Sequence, residues 1–216
     1  MSELTFEPMR RAMVASQLRT TGVSDPRVIA AMGEVARERF VPAERAALAY
    51  ADATVPLANG RALNPPMALG RLLTEAQLHG HERALVIGSG TGYAAAVLAR
   101  LVGAVTALEE DAALAAMARE ALADTGVTLA EGPLAEGWAA GAPWDFILID
   151  GAVDYVPRVI VDQAADGARI GLALLDRGVT RLAMGRVVAG AFGLSTFADA
   201  AVAILPGFEK PRGFIF

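Results

Sequence analysis

The chain has no cysteine. That one absence removes disulfides, thiolate-ligated zinc and thiol nucleophiles together. Histidine is nearly as scarce, with two in 216 residues, so a histidine-built centre is excluded and no metal is expected. Positive charge is also short: 19 Lys and Arg against 24 Asp and Glu give a net charge of −5. Such a balance suits phosphate backbones poorly, and no nucleic-acid partner is expected. Long uncharged apolar runs are missing as well. The most apolar region, Val179 to Leu205, is broken by Arg181, Arg186 and Asp199, whereas a membrane span needs about 20 nearly uncharged residues. Met1 to Arg11 carries Glu3, Glu7, Arg10 and Arg11 and lacks the apolar core of a signal peptide. The reading is a soluble, cytoplasmic chain with no membrane partner.

What the chain has is core. Apolar residues make up 54% and charged residues 20%, enough to bury a large interior and too apolar for intrinsic disorder. The N-terminal third reads as helical. Met9, Met13, Val14 and Leu18 recur at helical spacing over Glu7 to Thr20, and Gly22 ends that run. Ser24-Asp25-Pro26 starts a second helix reaching about Arg37. Ala53 to Pro66 reads as a long ordered loop, and Met67 to Leu78 as another helix.

From Arg83 the pattern changes. Apolar runs at Ala84–Ile87, Ala104–Leu108, Val127–Ala130 and Asp145–Ile149 alternate with helical stretches at Tyr93–Leu101 and Asp111–Leu122. That alternation predicts a mostly parallel central sheet with helices on both faces, an α/β fold. Ala168–Leu175, Arg181–Ala189 and Ala198–Leu205 read as strands of an antiparallel edge. Residues 1–80 form an N-terminal helical cap in this reading, residues 81–216 the α/β core, and the two one compact unit.

The strongest chemical signal is Val86-Ile87-Gly88-Ser89-Gly90-Thr91-Gly92-Tyr93, where a strand ends and a helix begins. Glycines there permit a tight turn and close approach of a ligand to the backbone, and the helix start adds unpaired N–H groups. A dinucleotide fingerprint would need glycine at position 93, which is Tyr93. The shorter spacing of Gly88, Gly90 and Gly92 suits S-adenosylmethionine better. Glu109 closes the next strand, 21 positions after Gly88, where a carboxylate can take both ribose hydroxyls. Glu131 follows the third strand and can accept from an adenine amino group. Read blandly, Glu109 is a solvated helix-start residue and Glu131 a turn acid. His79 and His81 read as exposed turn residues.

The chain also resembles the protein-L-isoaspartate O-methyltransferases along most of its length. Met13-Val14-Ala15-Ser16-Gln17-Leu18, Val23-Ser24-Asp25-Pro26-Arg27-Val28, Arg37-Glu38-Arg39-Phe40-Val41-Pro42 and Ala49-Tyr50-Ala51-Asp52 are similar to that family's N-terminal blocks. The glycine loop, Ala95 to Ala99 and Pro143-Trp144-Asp145 match later ones. The resemblance implies a Rossmann-like class I methyltransferase core. It implies S-adenosylmethionine as cofactor and the carboxylate of isoaspartyl residues in damaged proteins or peptides as substrate. Carried over by position, Gly88, Ser89, Gly90 and Gly92 cradle the amino-acid part of the cofactor, Glu109 holds ribose and Glu131 adenine.

The acceptor side departs from the family pattern. Gly60-Arg61-Ala62-Leu63-Asn64-Pro65-Pro66 stands where the family reads about Gly-Gln-Thr-Ile-Ser-Gln-Pro, so Asn64 takes the serine position, the candidate catalytic one. Asp150 follows the fourth strand where the family has a small or neutral residue, and Leu63, Asn64 and Asp150 are the expected acceptor-side set. Asn64 can still donate through its amide, while Asp150 would add a like charge beside an anionic acceptor, predicting weak isoaspartyl methylation. Two alternatives stay open: a methyltransferase of the same fold with another acceptor, and a catalytically weak cofactor-binding or interaction protein. Nothing in the sequence sets the oligomeric state.

Overall fold

A computed structural model describes residues 6–210. Residues 1–5 lie outside it, Glu3 of the N-terminal stretch among them, as do residues 211–216.

Helix α1 (Glu7–Met13) continues into a π-helical stretch, Val14–Leu18, so the run read as one helix changes hydrogen-bond register partway. Helix α2 (Pro26–Glu34) is capped by Asp25, whose side chain accepts from the Arg27 N–H at 2.8 Å. It stops at Glu34, earlier than the sequence suggests, because Val35 turns extended. Arg37 then lies in a 3-10 turn over Arg37–Phe40 with its side chain fully buried. The stretch expected to be loop holds a short antiparallel hairpin, β1 (Val55–Pro56) and β2 (Ala62–Leu63), which leads into α3 (Pro66–Ala76).

The core follows as β3 (Arg83–Ile87), α4 (Tyr93–Leu98), β4 (Ala104–Glu109), α5 (Ala112–Ala121), β5 (Thr128–Glu131), β6 (Trp144–Val153), α6 (Arg158–Val161), β7 (Ala164–Asp176), β8 (Val179–Val188) and β9 (Ala191–Asp199). The seven strands β3–β9 form one sheet in the order β5-β4-β3-β6-β7-β8-β9. Pairings from β5 through β7 are parallel, and β8 and β9 add the antiparallel edge. The order reverses at β3, flanked by β4 and β6, so the ends of these strands sit at the topological switch point where open α/β sheets bind ligands.

Alternation along β3 assigns the layers. Ala84 and Val86 join an apolar cluster with Met13, Val28, Leu69, Tyr93 and Leu114, whereas Leu85 and Ile87 join one with Ile160, Val161, Leu205 and Phe208. The first face therefore carries the N-terminal helices together with α4 and α5. The second carries α6 and the C-terminal segment. The stretch Ala198–Leu205 differs from its strand reading: β9 ends at Asp199, and the chain then crosses to β6, touching it through an Ala152–Ile204 bridge. Among the described residues no helix is long and apolar enough to cross a membrane.

Candidate active site

The loop from Gly88 to Gly92 joins β3 to α4 and is buried throughout. Gly88, Gly90 and Gly92 all take positive φ, 72°, 55° and 98°, which a side chain would strain. Ser89 is 3% exposed, and its Oγ is buried without a hydrogen-bond partner. An orphaned hydroxyl inside a glycine cradle is what a site built for a polar ligand leaves behind, because such a group costs free energy until it is paired.

Glu109 lies at the end of β4, fully buried. Its Oε2 accepts from the Gly90 N–H at 2.6 Å, and its Oε1 from the Glu110 and Asp111 N–H groups at 3.1 Å each. The carboxylate thus ties the glycine loop to the start of α5. Its remaining partner is Arg61, an ion pair with Nη1 to Oε1 at 2.8 Å and Nη2 to Oε2 at 3.2 Å. Arg61 Nη2 also donates to the Gly88 carbonyl at 3.0 Å. The bland reading of Glu109 as a solvated residue does not hold. Glu131 pairs in register with Glu109 at the end of β5. It is half-exposed and bonded to Arg119.

On the acceptor side, Asn64 and Asp150 meet across 86 residues. The Asn64 Nδ2 donates to Asp150 Oδ1 at 2.9 Å and to its carbonyl at 3.2 Å. The Asn64 Oδ1 accepts from the Ala203 N–H at 2.9 Å, and its backbone carbonyl accepts from the buried Arg37 guanidinium. Burial pushes the Asp150 carboxyl above the usual range. The bond from Asn64 and the nearby Arg61 and Arg37 charges oppose that rise only in part. Burial lowers the Arg37 pKa, and Tyr93, over whose ring the guanidinium lies at 4.5 Å, and Asp150 oppose that fall only in part. Leu63 is buried beside Asn64 on β2. His79 and His81 lie outside this cluster, just before β3, stacked with ring centroids 6.2 Å apart.

Two residues of this cluster carry little signal in the sequence. Arg61 reads there as one letter of a loop. Leu205 falls in a strand-like run, yet its Cδ1 comes 2.7 Å from the position a Cβ on Gly88 would take. In residue chemistry the loop, the orphaned hydroxyl and Glu109 fit a nucleoside–amino-acid cofactor. The space directly over Gly88 is held by Leu205 and Arg61.

Comparison with known proteins bears on the family and the fold. A family model described as protein-L-isoaspartate(D-aspartate) O-methyltransferase matches residues 9–180. A protein-L-isoaspartate O-methyltransferase of Rhodopseudomonas palustris is 41% identical over 169 residues, covering 77% of this chain and 69% of its own. One from Methylorubrum populi is 42% identical over 163 residues, covering 74% and 77%. Among solved structures, a protein-L-isoaspartate O-methyltransferase superposes with a TM-score of 0.80 at 22% identity, covering 93% of this chain and 67% of its own. A Plasmodium falciparum protein assigned the same activity, solved in complex with S-adenosyl-L-homocysteine, superposes at 0.77 with 17% identity, covering 94% and 99%. These two structural likenesses establish a shared fold.

Proposed function

The chain belongs to the protein-L-isoaspartate(D-aspartate) O-methyltransferase family, and from that premise we propose that it transfers a methyl group from S-adenosylmethionine to the carboxylate of isoaspartyl residues in damaged proteins. The observation that carries this reading is the buried cradle at the ends of β3 and β4. It combines three left-handed glycines, the unpartnered Ser89 Oγ and the Glu109 carboxylate.

S-adenosylmethionine supplies an electrophilic methyl group on a sulfonium, whose sulfur keeps the electron pair of the broken bond. Gly88, Ser89, Gly90 and Gly92 bind its amino-acid part, Glu109 its ribose and Glu131 its adenine. The acceptor carboxylate is already ionised, so no general base is required and no proton changes hands. The chain's task is to bring the acceptor oxygen in line with the methyl carbon and to exclude water. Asn64, on the short connection between β2 and α3, is the residue assigned to orient that carboxylate through its amide N–H, which must first leave Asp150.

The test is transfer of radiolabelled methyl to an isoaspartyl peptide, with the normal aspartyl isomer as control. Label on the isoaspartyl form alone, released as methanol in base, is the expected result. A methyltransferase with another acceptor is the second reading, favoured by the Asn64–Asp150 bond that engages the one amide donor at the serine position. That reading gains if S-adenosylhomocysteine binds and neither peptide is labelled.

A further inference from the structure

Glu109 has no capacity left. A carboxylate offers about four lone-pair sites, and this one accepts five contacts: three from backbone N–H groups and two from Arg61. The backbone donors belong to the glycine loop and the start of α5 and cannot leave without unmaking both. Arg61 can leave, since it is a side chain reaching over from the β1–β2 hairpin turn, where its own backbone is held by Leu57 and Ala58. A ribose diol can therefore reach Glu109 only by replacing Arg61.

The space beside Glu109 is taken in the same way. A Cβ placed on Gly88 would meet Leu205 Cδ1 at 2.7 Å and Arg61 Nη2 at 3.3 Å, so both side chains lie within a methyl group's reach of the loop. Leu205 is also seated on Gly151, where an added Cβ would lie 2.7 Å from its own Cβ. The segment carrying it is fastened by Leu205 N–H to the Ala152 carbonyl at 2.9 Å, Ala152 N–H to the Ala203 carbonyl at 2.8 Å and Ala203 N–H to Asn64 Oδ1 at 2.9 Å, and on either side by bonds of Ala200 and Val202 with Thr180 and of Phe208 and Lys210 with Asp154. One short strap thus covers the glycine loop and holds Asn64 at once. It lies beyond residue 180, where the family match ends.

We propose that Arg61 and Leu205 are internal occupants of the cofactor cleft, and that S-adenosylmethionine binds only by displacing both. The proposal rests on the cofactor reading. Its consequence is an affinity set by the open fraction of the chain: if about a tenth is open, the apparent Kd rises about tenfold over the intrinsic one. Arg61→Gln removes the charge that holds Glu109 while keeping an amide donor. Leu205→Ala empties the space over Gly88 without touching the ion pair, and so serves where loss of the pair impairs folding.

Titration calorimetry with S-adenosylhomocysteine on the full chain tests this, together with hydrogen exchange at the Leu205 and Ala152 amides. The expected result is at least about fivefold tighter binding by Leu205→Ala, and by Arg61→Gln where it folds. Exchange at both amides of the parent should rise at least about tenfold when the ligand saturates it. Binding by the parent with both amides still protected, or no gain in affinity from Leu205→Ala, overturns the proposal and leaves the cofactor reading standing. Failure of the parent and both variants to bind at all overturns the cofactor reading and the proposal with it.

Discussion

Asn64 and Asp150 form a closed pair: the amide Nδ2 donates to the Asp150 side chain at 2.9 Å and to its carbonyl at 3.2 Å. Both protons that the serine-position residue could offer an acceptor are spent on its neighbour. At about 6 Å and an effective dielectric near 20, an ionised Asp150 would also repel an acceptor carboxylate by roughly 3 kcal/mol. The double change Asn64→Ser with Asp150→Thr removes the charge and restores a hydroxyl. It is expected to raise methyl transfer to an isoaspartyl peptide by about tenfold or more, measured as radiolabel incorporated. No gain would shift the defect to the strap over Asn64.

The Asp150 carboxyl is pushed up by burial, more than Asn64, Arg61 and Arg37 pull it down. An acid whose folded pKa is raised contributes stability that is fully present below its unfolded pKa, about 3.9, and is lost as pH rises through the folded value. Asp150→Asn removes this titration and keeps an acceptor for Asn64. Urea unfolding is expected to show the variant more stable than the parent at about pH 8, with the difference shrinking toward about pH 4. An unchanged difference across that range would mean that the carboxyl titrates alike in the folded and unfolded chain.

The parts of this fold legible from sequence are those with a repeating signal. The alternating apolar runs of β3, β4 and β6 and the glycine loop between β3 and α4 each carry a local pattern, and each sits where that pattern puts it. Other features depend on partners far along the chain. Arg61 meets Glu109 across 48 residues, and nothing in its immediate neighbours separates it from a solvated loop arginine. Its one signal is position, since it stands where the family pattern has glutamine. The stretch from Ala198 to Leu205 has strand-like composition, yet after Asp199 it packs as a strap on β6 because Gly151 leaves room for Leu205. Arg37 falls inside a helical pattern and is drawn out of it by carbonyls of Ala49 and Asn64 that no local rule foresees.

Glu82 anchors the end of α3 to the sheet. It is 1% exposed and accepts from the His79 and Gly80 N–H groups at 2.7 and 2.8 Å and from Arg169 at 2.8 Å. Burial raises its pKa, but the backbone donors and Arg169 outweigh that and hold it at about 2. For a depressed acid, the stability is present above the unfolded value near 4.5 and is lost as pH falls through about 2. Glu82→Ala leaves the Arg169 guanidinium with only the Ala76 and Gln77 carbonyls, and is expected to cost about 3 kcal/mol in urea unfolding at pH 7. The parent's acid-unfolding slope between about pH 4 and 2 should flatten in the variant. A loss below about 1 kcal/mol would mean that Glu82 does not anchor α3 to the sheet.

Ser89 can separate a ligand site from a packing turn, because a buried hydroxyl that a ligand pairs affects the empty and the loaded chain in opposite directions. The Oγ is buried and unpaired, which costs the cofactor-free chain roughly 1–3 kcal/mol. Ser89→Ala removes that cost, so the variant is expected to unfold at equal or higher urea concentration than the parent. If the hydroxyl meets the amino-acid part of the cofactor, the same variant loses a hydrogen bond in the complex. S-adenosylhomocysteine should then bind about fivefold more weakly, near 1 kcal/mol. Raised stability with unchanged affinity would make the orphan a packing accident and take Ser89 out of the site. Lowered stability would mean that the Oγ has a partner in the cofactor-free chain, and only the pairing of the two shifts, up in stability and down in affinity, marks the hydroxyl as held in reserve for a ligand.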